Sequence, residues 1–144
     1  MRLVAVVLII TSVVLAGAAQ RSASGQPGPD APAKAVPNGV WGGEHIRVEV
    51  TDNGADIEFD CARGTISQRL ALDAEGHFKA QGTYKAETPA PSAEGGPSGS
   101  GVPATYTGAL NGSSLRLEVL IEGQDTPKTF DLVQGDQGHL AKCA

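Results

Sequence analysis

Residues 45–61 read HIRVEVTDNGADIEFDC, and few stretches of this length leave a chain so little choice of structure. Ile46, Val48 and Val50 alternate with His45, Arg47 and Glu49. Beyond Asn53-Gly54, Ile57, Phe59 and Cys61 alternate with Asp56, Glu58 and Asp60. Apolar residues at every second position give an extended strand one dry and one wet face, whereas a helix needs a period near 3.6. Asn-Gly suits the two positive-φ sites of a tight hairpin turn. Folding there sets Val50 beside Ile57, Val48 beside Phe59 and Ile46 beside Cys61, all on one face. A slip of a single residue would carry one strand's apolar set into water, so the pattern restricts register as well as element type. On the wet face Arg47 falls opposite Asp60. Glu49 opposite Glu58 is an unfavourable pair, relieved by diagonal contact with Arg47.

The same grammar recurs downstream. ISQRLALDAEGHFKAQGTY predicts a hairpin around Ala74-Glu75-Gly76, with Gly76 left-handed, Leu72 facing Phe78, Leu70 facing Ala80 and Ile66 facing Tyr84. VPATYTGALNGSSLRLEVLI predicts another on Asn111-Gly112, placing Gly108 by Leu115, Tyr106 by Leu117 and Ala104 by Val119. KTFDLVQ and HLAKC supply two more strands around GDQG, with Phe130, Leu132 and Leu140 buried. Leu140 and Cys143 differ in parity, so one of them leaves the pleat. Eight short strands and no helical period predict an all-β fold. The expected architecture is an eight-stranded antiparallel meander closing as a small up-and-down barrel, with a β-sandwich as the alternative. Gly82 and Gly108 fall on the inner face, where a tightly curved sheet crowds any side chain.

The ends of the chain bound its setting. Residues 1–19 combine Arg2, an apolar run from Leu3 to Leu15 and the small residues Ala16-Gly17-Ala18-Ala19, the layout of a secretory signal peptide cleaved at Ala18 or Ala19. The apolar run is shorter than the roughly 20 residues a membrane helix needs, and Ala18 stands where a lipoprotein would carry its lipidated cysteine. Residues 20–38 are rich in Pro, Gly, Ser and Ala without periodicity and read as a disordered linker. Residues 39–144 then form a single domain, with a flexible loop at 86–101. Removing residues 1–19, which hold only Arg2 among charged residues, leaves 10 Lys and Arg against 16 Asp and Glu. An acidic surface disfavours nucleic acid and anionic lipid as partners. Two cysteines in an exported chain predict a disulfide, Cys61 to Cys143, stabilising by roughly 4 kcal/mol in the chain-entropy model. The expected location is secreted or periplasmic, without membrane attachment after cleavage, and as a monomer.

If strands alternate in direction, the short turns at Asn53-Gly54, Ala74 to Gly76, Asn111-Gly112 and Gly135 to Gly138 gather at one rim. The opposite rim receives the N-terminal linker, the turn from Cys61 to Gly64, the loop at 86–101, the turn from Glu122 to Pro127 and the C-terminus. Cys61 and Cys143 share that rim with strand one between them, so the disulfide is expected to draw the C-terminus beside the first hairpin and to shut the barrel seam. The candidate ligand-binding residues are Trp41, Gln68, Tyr84 and Tyr106. Gln68 is turned inward opposite Gly82 by the register that buries Ile66 and Leu70, and a buried amide there needs partners such as the two tyrosine hydroxyls. Trp41, at the start of strand one, is placed to plug a barrel end.

Chemistry-bearing motifs are absent from the text: no G-x-S-x-G elbow, H-E-x-x-H, phosphate loop with lysine, or dinucleotide fingerprint. His45, His77 and His139 fall at outward or strand-edge positions without ligand spacing, so no metal is expected, and no cofactor. GVWGGEHIRVEVTDNGADIEFDCARGTI, together with GALNG and a near-terminal cysteine, resembles a set of small exported bacterial proteins of no assigned activity. The meander is broadly similar to lipocalin-like barrels. The resemblance implies a bacterial exported domain and carries no catalytic residue. The expected function is a non-enzymatic barrel binding a small molecule or protein at its loop-rich rim. The alternatives are a small secreted hydrolase using acidic residues such as Glu58 and Asp60 at that rim, or a purely structural domain.

Overall fold

A computed structural model describes residues 34–87, 101–141 and 143. Eight strands follow one another: β1 (Gly39–Gly43), β2 (Ile46–Thr51), β3 (Gly54–Phe59), β4 (Ala62–Ile66), β5 (His77–Ala86), β6 (Val102–Asn111), β7 (Ser114–Ile121) and β8 (Lys128–Gln134). Each pairs antiparallel with the next, and β1 pairs with β8, so the meander closes as a barrel. No described residue is helical. Inward positions hold the core: Ile46, Val48 and Val50 on β2, Ile57 and Phe59 on β3, Tyr106 on β6, Leu115, Leu117 and Val119 on β7, and Leu132 on β8. No polar or charged residue is fully buried among those described, so the barrel is filled by side chains as small barrels are.

The hairpins have the expected faces but different registers. Val48 pairs with Ile57 and Ile46 with Phe59, because Asp52-Asn53 form the turn and Thr51 pairs with Gly54. Gly108 pairs with Leu117 and Tyr106 with Val119, because Gly112-Ser113 turn instead of Asn111-Gly112. Ile66 pairs with Gly82 and Gly64 with Tyr84. Each register differs by two residues from expectation, which preserves the side-chain parity and therefore the core. Turn chemistry explains two of the shifts. Gly112 has φ +60 and is followed by Ser113, a glycine-first turn in place of one with two positive-φ residues. Gly54 lies against the Ile66 carbonyl so closely that a Cβ would overlap it, which holds this glycine in the strand and moves the turn back.

Strand membership also changes. Gly39–Gly43 is a strand, and Trp41 is fully buried within it opposite Val48 and Gln134. Of the expected strand at 139–143, His139–Ala141 and Cys143 are described and form none, apart from an isolated bridge between Glu44 and His139. The glycine-rich GVWGG takes the closing seat because its bareness permits close approach: a Cβ on Gly42 would overlap Gly138, and one on Gly43 the Asp131 carbonyl. After β8, Gly135 (φ 85) and Gly138 (φ 75) take the chain out of the sheet. It crosses the β1–β2 hairpin, where His139 N–H donates to Gly43 O (2.9 Å) and His45 N–H to His139 O (2.8 Å).

Residues 67–76 form a loop, so Leu70 and Leu72 are not strand residues as expected. Leu70 is nevertheless buried, because this loop folds over the barrel end. Val36 N–H donates to Leu70 O (3.0 Å), Leu72 N–H to Lys34 O (2.7 Å), and Val36 is buried beside them. Lys34 to Asn38 thus pack with the barrel, ahead of the boundary at residue 39 expected from composition, and they lie at this end and not at the loop-rich rim. Gln68, expected inward opposite Gly82, is exposed on the same loop, since the strand stops at Ile66 and that residue takes the place across from Gly82. The expected signal peptide, most of the expected linker and residues 88–100 of the expected flexible loop lie outside the described residues.

Candidate functional site

Barrel ends differ because their connections differ. One end is stopped by Val36 and Leu70, with Trp41 below them donating its indole N–H to Pro37 O (3.0 Å). The other gathers the Glu44-His45 and Asp60-Cys61 turns, the end of β5, and the start of β8 after the 122–127 connection. There the alternating inner face continues past the packed core: Phe59, Tyr84 and Phe130 are the last large apolar side chains of their strands' inward rows. Phe59 lies 5.3 Å from Tyr84 and 5.4 Å from Phe130, ring centre to ring centre, both tilted. Lys128 shares parity with Phe130 and Leu132, and its ammonium stands 5.3 Å over the Tyr84 ring while Nζ donates to the Tyr84 hydroxyl at 3.4 Å. A pit of about 300 Å³ lies among Phe59, Tyr84, Phe130, Lys128, His45, Asp60 and Cys61. Its volume is at the low end for small-molecule sites, and an apolar wall with a few convergent polar groups is their usual lining.

The polar side of the pit is built by the turns. His45 has φ 65, a left-handed backbone that histidine tolerates better than most residues. Its Nδ1 lies 2.6 Å from Asp60 Oδ2, and Asp60 Oδ1 accepts the Ala141 N–H at 2.8 Å. Cys61 and Cys143 form a disulfide across a Cα separation of 5.4 Å. One carboxylate and one disulfide therefore hold the C-terminal strap to the β3–β4 turn. Glu87 extends the arrangement: its N–H donates to Cys61 O (2.8 Å), and its carboxylate accepts from Arg63 Nε (2.6 Å). Glu58 is paired with Arg47 at 3.5 Å and Arg63 at 4.0 Å on the outer wall, and with Asp60 it lines a second hollow beside the strap.

The four expected ligand residues are not brought together. Tyr84 lines the pit. Trp41 and Tyr106 are core residues, both fully buried, and Gln68 is at the opposite end. Tyr106 lies over Gly64 and Gly82, where any Cβ would strike its ring or hydroxyl, and it donates its proton to Thr83 O at 2.7 Å. Burial pushes its phenol far above the usual tyrosine range, with a smaller contribution from nearby Tyr84. Sequence reasoning missed Lys128 and His45 as lining residues and offered Asp60 only as a carboxylate of the alternative hydrolase reading. The parity of KTFDL already set Lys128 in line with Phe130 and Leu132 and so toward the mouth. The turn that carries His45 has no such signal.

Each histidine sits by a carboxylate: His45 by Asp60, His77 Nδ1 by Asp73 (3.9 Å) and His139 Nδ1 by Glu44 (3.9 Å). No three His, Cys, Asp or Glu side chains converge on a metal position among the described residues.

Fold and mouth together define a small, side-chain-filled, up-and-down β-barrel whose pit-bearing rim is strapped by a disulfide. No protein-family model, curated protein or solved structure matches the chain.

Proposed function

We propose that this protein is an exported, non-enzymatic binding module of the secreted or periplasmic space, and that the rim pit is the seat for its ligand. The observation that carries the reading is the pit itself. Phe59, Tyr84 and Phe130 leave an apolar, ring-walled hollow at the barrel mouth where a closed core would need none, and Lys128 stands at its lip. Such a site suits a small apolar ring bearing an anionic or hydrogen-bond-accepting group, free or carried on a protein. Export is supported by the signal-like residues 1–19 and by the oxidised cysteine pair, which needs a compartment that does not reduce it. The non-enzymatic reading is supported by the use of the His45–Asp60 pair: Asp60 is held between His45 and the Ala141 amide, a tie between turn and strap.

The test is a titration of the full chain as exported with phenylacetate, indole-3-acetate and their uncharged amides, followed by ligand-observed NMR and amide shifts. Saturable binding that moves the Phe59, Tyr84 and Phe130 resonances, favours the carboxylates, and is weakened at least tenfold by Phe130→Ala supports the pit as the seat. Shifts confined to other parts of the barrel, or no saturable response to any probe, would overturn it.

A further inference from the structure

The barrel seam is short. β1 and β8 share two register pairs, Trp41 with Gln134 and Gly42 with Val133, after which β1 turns away at Glu44-His45. β8 continues to Lys128, paired on its other side with β7 through Glu118–Thr129 and Val119–Lys128. Main-chain direction along β8 is set by two bonds at its end: Gly135 N–H donates to Val40 O on the seam side (2.7 Å), and Gln134 N–H donates to Ser113 O on the β7 side (2.9 Å). Successive strand residues point their N–H and C=O groups to opposite edges, so Thr129 directs both toward the seam, where β1 has ended. This edge runs straight into the pit, whose walls include Lys128 and Phe130 from β8 and His45 from across the gap.

We propose that Lys128–Phe130 is an open strand edge that receives an extended peptide segment of a partner protein, with one large apolar side chain in the ring-walled pit and a carboxylate on Lys128. A peptide residue opposite Thr129 exchanges two main-chain hydrogen bonds with it and holds its own side chain outward, as Thr129 does. Its neighbours, opposite Lys128 and Phe130, then point inward, so a residue with an aromatic or long aliphatic side chain falls over the pit. Charge selects the polar companion. Among the described residues Lys128 reaches only the Tyr84 ring and hydroxyl, while Asp60 is already taken by His45 and the Ala141 amide, so the cation has capacity for a carboxylate and the anion has little for an ammonium. A strand edge unpaired by its own sheet is also a template for another chain. This inference rests on the pit being a binding site and adds that its occupant is a strand.

Its test separates the two. End-blocked pentapeptides of alternating valine and threonine, with phenylalanine, leucine or tryptophan at the centre and a glutamate beyond it, are titrated into the domain by fluorescence anisotropy. The same peptides N-methylated on both residues flanking the centre keep their side chains and lose the pairing donors. A second arm uses Thr129→Pro, which deletes an N–H that the β7–β8 ladder does not use. The expected result is saturable binding, slowed hydrogen exchange at the Thr129 amide, and at least tenfold weaker binding with the methylated peptides or with Thr129→Pro, while phenylacetate binding is unchanged by Thr129→Pro. Equal affinity for parent and methylated peptides, undiminished peptide binding by Thr129→Pro, or no peptide binding would overturn the strand-edge assignment. Phenylacetate binding that persists in those cases leaves the pit standing as a small-molecule seat.

Discussion

Tyr106 shows how a single side chain is chosen by its neighbours' lack of one. Gly64 and Gly82 face inward across the β4–β5 pair, and the ring lies in the space where their Cβ atoms would be. Phe78 covers Gly108 directly across β5–β6 in the same way, so the crowding expected at Gly82 and Gly108 takes the form of aromatic rings seated on bare backbone. Tyr106 also carries a titration. Its phenol is raised by burial, so the folded state holds its proton at pH values where the unfolded chain has released it. The folded state is thus favoured in full below the free-tyrosine pKa of about 10 and loses ground as pH rises beyond it. Tyr106→Phe, measured by urea denaturation from pH 8 to 11.5, should flatten the alkaline fall in stability. At pH 8 it should cost about 1 kcal/mol for the lost bond to Thr83 O. An unchanged alkaline slope would show that another group is responsible.

Beyond the Gly135 N–H bond to Val40 O, the strap that ends at Cys143 is held by two main-chain bonds at His139, one carboxylate bond at Ala141 and the disulfide. Barrel closure does not depend on it, since β1 and β8 pair on their own. The disulfide's contribution is therefore mostly to the unfolded chain, where it closes a loop spanning a sequence separation of 82. Replacing both cysteines by serine should lower stability by up to about 4 kcal/mol. The far-ultraviolet circular dichroism of the barrel should remain, with exchange protection lost first at His139 and Ala141. Collapse of the whole β-sheet signal in the double variant at 20 °C would show instead that the strap closes the barrel. The ion pairs of the outer wall, such as Arg116 with Asp131 at 2.9 Å, belong to a different class: both partners are exposed and add little.

The described residues form one closed ring of hydrogen bonds around one core, with Trp41 at the closing strand and fully buried. As the chain's single tryptophan, it reports on the seam. Its fluorescence and the sheet's circular dichroism should follow one common urea transition, because a barrel opened at β1 loses pairing on both sides. A tryptophan change well before the main transition would reveal a separately melting seam. The alternation in HIRVEVT, ADIEF, SLRLEVLI and their partners was enough to determine an all-β meander and which face of each strand is dry, since side-chain parity is a local property of extended chain. The cysteine pair and the parity of Lys128 and Phe130 were legible as well. Register was not, because a two-residue shift keeps every apolar side chain inside and only the turn and the close packing at Gly54 choose between the alternatives. Nor was the identity of the closing strand: GVWGG has one large side chain, and its strand character comes from the neighbours that its glycines allow to approach. The pit was decided only by the folded chain, since His45, Asp60, Tyr84 and Lys128 are far apart in sequence and meet because the barrel brings four separate strand ends to one mouth.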